Sequence, residues 1–322
     1  MTHMAIIGGG IIGSSWALVF ARAGLKVKVF ARHETVRASL HERIGVMAER
    51  ARAIRPDVPV AEILKRISLV DEIGAAVTDA GFVQESLEEK IEVKREVFAV
   101  LDRLTPEDAI IGSSTSSFGV SSFADGLKGR HRCIVAHPAA VPHLIPVVEV
   151  VPAIFTALET VETTFELMKA VGQSPVLVRR EQPGFVMNRL QGALLTEMFR
   201  VIEDGLMSPE DVDKLISDGF GLRWAFLGPL EGIDLNAPGG IADYLKRYGF
   251  MFDDLAKERG ATGPVVTKSV IATLHDAMRG EVPLEHLEDK RAWRDERMAR
   301  LRALKDEMGP FLGTEPVWGG DG

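Results

Sequence analysis

The hydrophobic pattern changes period repeatedly through the first half of the chain. Short apolar runs suited to buried strands occur at Met4–Ile7, Leu25–Phe30, Ile67–Val70, Gly81–Gln84, Ala109–Gly112, Cys133–Ala136, Val147–Val150 and Pro175–Val178. Between most of them, apolar residues recur at helical spacing, as in Thr35–Ala53 and Ile91–Leu104. Fully apolar strands alternating with amphipathic helices predict a mostly parallel sheet covered on both faces. The pattern changes near Gln182-Pro183. From Gly184 onward the sequence predicts helices and no strand. The first runs from Phe185 to Asp204. A second opens at Ser208-Pro209-Glu210-Asp211, with Ser as N-cap, Pro at the first helical position and an acid in the first turn. Others start near Ile241, Val265 and Leu287. Leu287–Met308 interleaves Glu with Arg and Lys and reads as a solvated helix face, and the tail after Gly313 reads as frayed. No internal repeat is present.

The first strand runs directly into Gly8-Gly9-Gly10-Ile11-Ile12-Gly13, a G-x-G-x-x-G sequence at the start of a predicted helix. Gly8 permits a tight turn, Gly10 lets the backbone approach a pyrophosphate, and Gly13 lets the helix pack closely on the strand. The pyrophosphate would sit on the unpaired N–H groups around Ile11 and Ile12. The second strand follows a helix stop at Gly24, so the glycines have the strand–helix–strand context that a dinucleotide site requires. The expected fold class is therefore α/β. A Rossmann-type, mostly parallel doubly wound sheet over residues 1–183 precedes a smaller all-helical domain over residues 184–322.

Composition narrows the function. The chain has 322 residues, 46% hydrophobic and 26% charged, which is ordinary for a globular protein. A net charge of −8 argues against a nucleic-acid binder and against docking on an anionic membrane. One cysteine, Cys133, excludes a disulfide framework and a cysteine-based zinc site; in its apolar run it reads as a buried thiol. No metal site is expected. No run of 18 apolar residues exists and no signal peptide precedes the first strand, so the expectation is a cytoplasmic enzyme.

Oxidation of a secondary alcohol needs a base to take the hydroxyl proton while hydride leaves the same carbon. His137, in Ile134-Val135-Ala136-His137-Pro138, falls just past a strand end, the edge that faces the cofactor crevice in such sheets. Glu149 lies in the apolar run Val147-Val148-Glu149-Val150 and needs a partner. His137–Glu149 is the natural pair, as a catalytic dyad or as a structural hydrogen bond between two loops. Ser113-Ser114-Thr115-Ser116-Ser117 follows another strand end, where its hydroxyls either bind a substrate alcohol or cap the next helix. Asn188, in Gly184-Phe185-Val186-Met187-Asn188-Arg189, is a polar group early in an apolar helix.

Taken together, these motifs resemble the 3-hydroxyacyl-CoA dehydrogenase family across nearly the whole chain. The glycine loop, the Ser-Thr-Ser-Ser cluster, His137, Glu149 and Gly-Phe-x-x-Asn-Arg occur in the family's order and spacing. The resemblance implies His137 as general base and Glu149 as its orienting carboxylate. It implies Ser116 and Asn188 as substrate-binding and polarising groups, Glu89 and Lys94 near the nicotinamide, and a homodimer formed through the helical domain. For Glu89 and Lys94 an exposed helical charge run is the other reading. Within the family, Gln84-Glu85, Gly172-Gln173-Ser174-Pro175-Val176 and the run from Ser217 to Glu231 resemble the L-gulonate 3-dehydrogenase and lambda-crystallin branch. That branch implies a free hydroxy acid. Arg223, after a glycine-rich turn (Gly219-Phe220-Gly221), is then its carboxylate partner, because a guanidinium grips a carboxylate with two parallel hydrogen bonds.

The sequence departs from the family at two places. Ala31-Arg32 replaces the acid that usually ends the second strand. The local chemistry leans toward NADP and the family toward NAD; NAD is the reading adopted, with NADP the alternative. Ala140 stands where the family commonly has Asn. The expected activity is oxidation of the 3-hydroxyl of a small L-hydroxy acid. The alternatives are a short-chain 3-hydroxyacyl-CoA dehydrogenase, for which Arg37, Arg43, Arg50, Arg52 and Arg55 supply basic groups, and a non-catalytic dinucleotide-binding protein, which loss of the base or its carboxylate would mark.

Overall fold

The structure is a computed structural model that describes residues 3–52, 57–258, 260, 268–290, 293, 304 and 307. Eight strands form one sheet: β1 (Met4–Ile7), β2 (Val27–Phe30), β3 (Ile67–Val70), β4 (Phe82–Glu85), β5 (Ile110–Ser113), β6 (Cys133–Pro138), β7 (Val147–Val151) and β8 (Ser174–Leu177). Their order is β3-β2-β1-β4-β5-β6-β7-β8. All neighbours are parallel except β6 and β7, which run antiparallel. Each run that the hydrophobic pattern assigned to a strand is one, within a few residues at the ends. β2 starts two residues later than expected because Leu25 N–H donates to Phe20 C=O and closes the preceding helix.

The central strands are buried on both faces, while the edge strand β8 is largely exposed, and β1 shows why its run is apolar throughout. Met4 and Ile6 pack with Trp16, Phe20 and Val29 on one side, while Ala5 and Ile7 pack with Val83, Phe98 and Ile111 on the other. Successive strand residues point to opposite faces, so a doubly covered strand takes a polar side chain only where a partner satisfies it. Helix α1 (Ile11–Arg22) and helix α2 (Glu34–Arg50) belong to the β1–β3 half; the helix Ile91–Leu104 follows β4 and Leu158–Ala170 follows β7. The strand order reverses at β1, which pairs with β2 on one side and β4 on the other. Ligands of open α/β sheets bind outside the carboxyl ends of the strands at such a point.

Contacts divide the chain into two compact units, residues 1–196 and 197–322. The helix Met187–Glu203 spans that boundary in sequence. The second unit is helical, with Pro209–Lys214, Gly221–Trp224, Pro229–Asp234, Gly240–Glu258 and Lys268–Glu281 as its α-helical segments. Ser208 caps the first of these, its Oγ accepting from Asp211 N–H at 3.1 Å. Leu227, Leu235 and Leu287 form a small apolar cluster, and buried Asp234 pairs with Arg279 while accepting Ile241 N–H at 2.7 Å. Gly219-Phe220-Gly221 is not a turn. Leu215–Phe220 is a π-helical segment that continues directly into the α-turn carrying Arg223. Most of Leu287–Met308, and the tail after Gly313, lie outside the described residues. No helix among the described residues is long and apolar enough to cross a membrane.

Candidate active site

The glycine loop joins β1 to α1. Gly8 has φ +121°, a conformation that side chains avoid, and a Cβ there would also lie 2.5 Å from Ser86 O. A Cβ on Gly13 would collide with the Gly8 carbonyl. Gly10 faces open space and precedes α1 as its N-cap, with no side chain capping the helix. The first amides of α1 therefore have no acceptor from a capping side chain, and nothing blocks approach to the loop. Ile11 is exposed and Ile12 lines the adjoining pocket. A dinucleotide pyrophosphate fits this cradle.

A pocket of about 710 Å³ opens at the carboxyl ends of β4, β5 and β6, entirely within the first unit. Ser86, Glu89, Ser114, Ser116, His137, Ala140 and Asn188 are among its lining residues. His137 and Glu149 are directly opposed partners in the antiparallel β6–β7 pair. His137 Nδ1 lies 2.8 Å from Glu149 Oε2, and both residues are buried. A carboxylate only accepts, so Nδ1 carries the proton and the neutral ring keeps its lone pair on Nε2. The other carboxylate oxygen, Oε1, accepts the N–H groups of Val186 and Met187, each at 2.9 Å. Those amides are aimed by a turn in which Gly184 and Phe185 both have positive φ. Phe185 is fully buried, and its ring centroid lies 5.5 Å from that of His137. One turn thus orients Glu149, walls the imidazole and starts the helix that carries Asn188.

Asn188 Nδ2 donates to Ser116 C=O at 3.1 Å, which brings the two predicted substrate-binding residues together. Glu89 holds the same loop: its Oε1 accepts from Thr115 Oγ1 at 2.6 Å, Ser116 N at 3.0 Å and Ser117 N at 2.9 Å. Burial raises the Glu89 carboxyl pKa, but the Thr115 hydroxyl, Lys94 and the Ser116 amide outweigh it and hold that pKa below its ordinary value. Lys94 is 1% exposed, so it is no part of an exposed charge run. Its ammonium lies 3.2 Å from Glu85 and 3.3 Å from Glu89. Glu85 in turn accepts from Ser113 Oγ at 2.5 Å and Leu87 N–H at 2.7 Å.

Sequence reasoning did not single out Ser86, although it named Ser114 and Gln84, to which Ser86 is connected. Gln84 Nε2 donates to Ala136 C=O at 3.1 Å and to Ser114 Oγ at 2.7 Å, and Trp16 Nε1 donates to the same Oγ at 3.1 Å. With both lone pairs of Ser114 taken, its hydrogen goes to Ser86 Oγ, 2.9 Å away. The Ser86 hydroxyl hydrogen is then left to point into the pocket. A glutamine in a fully buried strand was the signal, since a buried amide needs partners.

Other predicted residues stand apart. Ala31 directly follows β2 and is buried, with exposed Arg32 after it. Of the basic stretch, Arg37 and Arg43 bond backbone carbonyls, Arg52 pairs with Glu49, and Arg55 is outside the described residues. Arg223 belongs to the second unit; its guanidinium lies over the Phe220 ring, 5.2 Å from the centroid, and its buried Nε has no hydrogen-bond partner. Cys133 is buried, and burial pushes its thiol pKa up to about 12, consistent with an inert side chain.

A glycine cradle at a strand-order reversal, with a histidine–carboxylate pair at its mouth, defines a nicotinamide-dependent dehydrogenase acting on a CH–OH group. Residues 3–182 match the NAD-binding domain of 3-hydroxyacyl-CoA dehydrogenase, and residues 184–273 match its C-terminal domain. The chain belongs to the 3-hydroxyacyl-CoA dehydrogenase family. It is 41% identical to a lambda-crystallin homolog of Bos taurus, over 95% of this chain and 96% of that one. It is 33% identical to an L-carnitine dehydrogenase of Nocardiopsis dassonvillei, over 76% and 74% of the two chains. Among solved structures it resembles an NAD-dependent 5-formyl-3-hydroxy-2-methylpyridine 4-carboxylic acid 5-dehydrogenase, with a TM-score of 0.69 and 27% identity over 94% and 98% of the chains.

Proposed function

We propose that the enzyme oxidises the 3-hydroxyl of a small, free L-hydroxy acid resembling L-gulonate. The observation that carries this reading is His137 in the pocket wall, paired behind it with buried Glu149. His137 Nε2 takes the hydroxyl proton, and Glu149 fixes the tautomer and stabilises the imidazolium that results. Ser116 and Asn188, joined to each other beside the base, hold the reacting oxygen. Glu89, backed by buried Lys94, keeps the Ser116 loop in place on the nicotinamide side. Gly8, Gly10, Ile11, Ile12 and Gly13 cradle the pyrophosphate. The nicotinamide, when bound, supplies the hydride acceptor; NAD is the form the family ordinarily uses.

Arg223 is assigned to the substrate carboxylate. Its unpartnered buried Nε leaves a donor for an anion, and one of the similar solved structures is named for a carboxylic acid. Residues 1–183 form the cofactor domain in this reading, and residues 184–322 bind substrate and pair two copies of the chain.

Steady-state kinetics on free hydroxy acids and on 3-hydroxyacyl-CoA thioesters test the reading. His137→Ala should lower kcat by orders of magnitude with cofactor binding retained. Arg223→Met should raise KM for the free acid by about tenfold to a hundredfold, the value of a lost charge-assisted pair, and change little with an uncharged ester. If a thioester is the best substrate and Arg223→Met leaves its kinetics unchanged, the short-chain 3-hydroxyacyl-CoA reading replaces this one.

A further inference from the structure

At the carboxyl end of β2 the side chain of Ala31 packs on the glycine loop: a Cβ on Gly9 would lie 2.9 Å from the Ala31 Cβ. In a dinucleotide fold, a side chain at this strand end reaches the adenosine ribose. A carboxylate here would accept from the ribose 2′-hydroxyl and repel a 2′-phosphate. A methyl group does neither.

Three guanidinium groups surround this point. Arg32 follows Ala31, is exposed, and its side chain makes no hydrogen bond or ion pair among the described residues. Arg37, on α2, donates from Nη1 to the carbonyls of Ala31 at 2.6 Å and Arg32 at 2.8 Å. Arg43, two turns further along α2, donates from Nη1 to Gly9 C=O at 2.8 Å and from Nη2 to Ser39 Oγ at 3.2 Å. Arg37 and Arg43 are thus tied to the two backbone segments that border the ribose. Neither is paired with a carboxylate among the described residues. Their charge is held in place and left uncompensated. The acid nearest in sequence, Glu34, is exposed at the first position of α2.

We infer that the adenosine end of this site is built for a 2′-phosphate, and that the enzyme binds NADP(H) in preference to NAD(H). Arg32 grips the phosphate, since a free guanidinium forms paired, charge-assisted hydrogen bonds to phosphate oxygens. Arg37 and Arg43 contribute a fixed positive field. This rests on the dinucleotide reading of the glycine loop, deepens it, and takes the NADP alternative in place of the NAD reading adopted from the family.

Equilibrium titration separates the two. NADH, NADPH, 5′-ADP and 2′,5′-ADP are titrated into the unmodified protein and into the Arg32→Ala, Arg37→Met and Ala31→Asp variants, at low and moderate salt. The expected result is NADPH binding about tenfold or more tighter than NADH, with 2′,5′-ADP favoured over 5′-ADP. Added salt should shrink the preference. Arg32→Ala should remove most of it and leave NADH affinity unchanged, and Ala31→Asp should reverse it. NADH binding as tightly as NADPH in the unmodified protein overturns the inference. So does a preference that survives both Arg32→Ala and Arg37→Met. If neither dinucleotide binds, the reading of the glycine loop falls with it.

Discussion

Ala140 has φ +50°, in the left-handed region, and lines the pocket two residues after β6. That conformation costs an alanine about 1 kcal/mol or more, whereas Asn and Gly adopt it readily. The residue missing by comparison with the family is therefore one that suits this backbone. Ala140→Asn or Ala140→Gly should raise Tm by roughly 1–4 °C, read by differential scanning calorimetry. No change or a fall would show that the backbone there is not strained. From the sequence Ala140 was visible only as a lost polar contact; its backbone angle was not. His137 and Glu149 were legible because a lone acid in an apolar run demands a partner. Ser86 was not, because its role depends on which lone pairs of Ser114 are already taken.

Among the elements, the helix Ile91–Leu104 shows what periodicity contains and charge counting misses. Lys94, Val97, Phe98 and Leu101 stand at i, i+3, i+4 and i+7, and all four are buried. A lysine on the apolar face of a helix must find an anion, and Glu85 of β4 is that anion. The link between α1 and the β6–β7 connection is a second buried contact. His143 N–H donates to Ser15 Oγ at 3.0 Å, and the Ser15 hydroxyl donates to His143 Nδ1 at 2.7 Å. Burial, with Arg22 adding to it, lowers the His143 pKa from its usual 6.5. The unfolded chain then binds a proton that the folded chain refuses. Stability should fall as pH drops through about 6.5 and level off below the folded pKa. Urea unfolding across that range should show the slope, and His143→Gln should flatten it. An unchanged slope in the variant would assign the pH dependence to other groups.

Over the whole molecule, the fold was readable because doubly buried strands are predominantly apolar. Every strand of the β3-β2-β1-β4-β5-β6-β7-β8 sheet announced itself as an apolar run. The antiparallel turn at β6–β7 was not readable, since direction is set by pairing and not by composition. In the second unit, the π-helical Leu215–Phe220 segment was mistaken for a turn because glycines interrupt it. The helix Gly240–Glu258 exposes Phe250 at 62%, Met251 at 51% and Phe252 at 39%, a run of large apolar side chains open to a partner. A homodimer formed through this region should sediment as a dimer. Phe250→Glu should shift it to monomer, and a monomeric unmodified protein would refute the pairing.

The antiparallel pairing of β6 with β7 has a further consequence. His137 and Glu149, the proposed base and its carboxylate, are set by strand register, from positions that flank the connection 139–146 on either side. That connection contributes Ala139, Ala140 and Ile145 to the pocket wall. It is therefore a cassette. Substitutions at those three positions should reshape what the pocket admits while the His137–Glu149 pairing, fixed by strand register, stays in place.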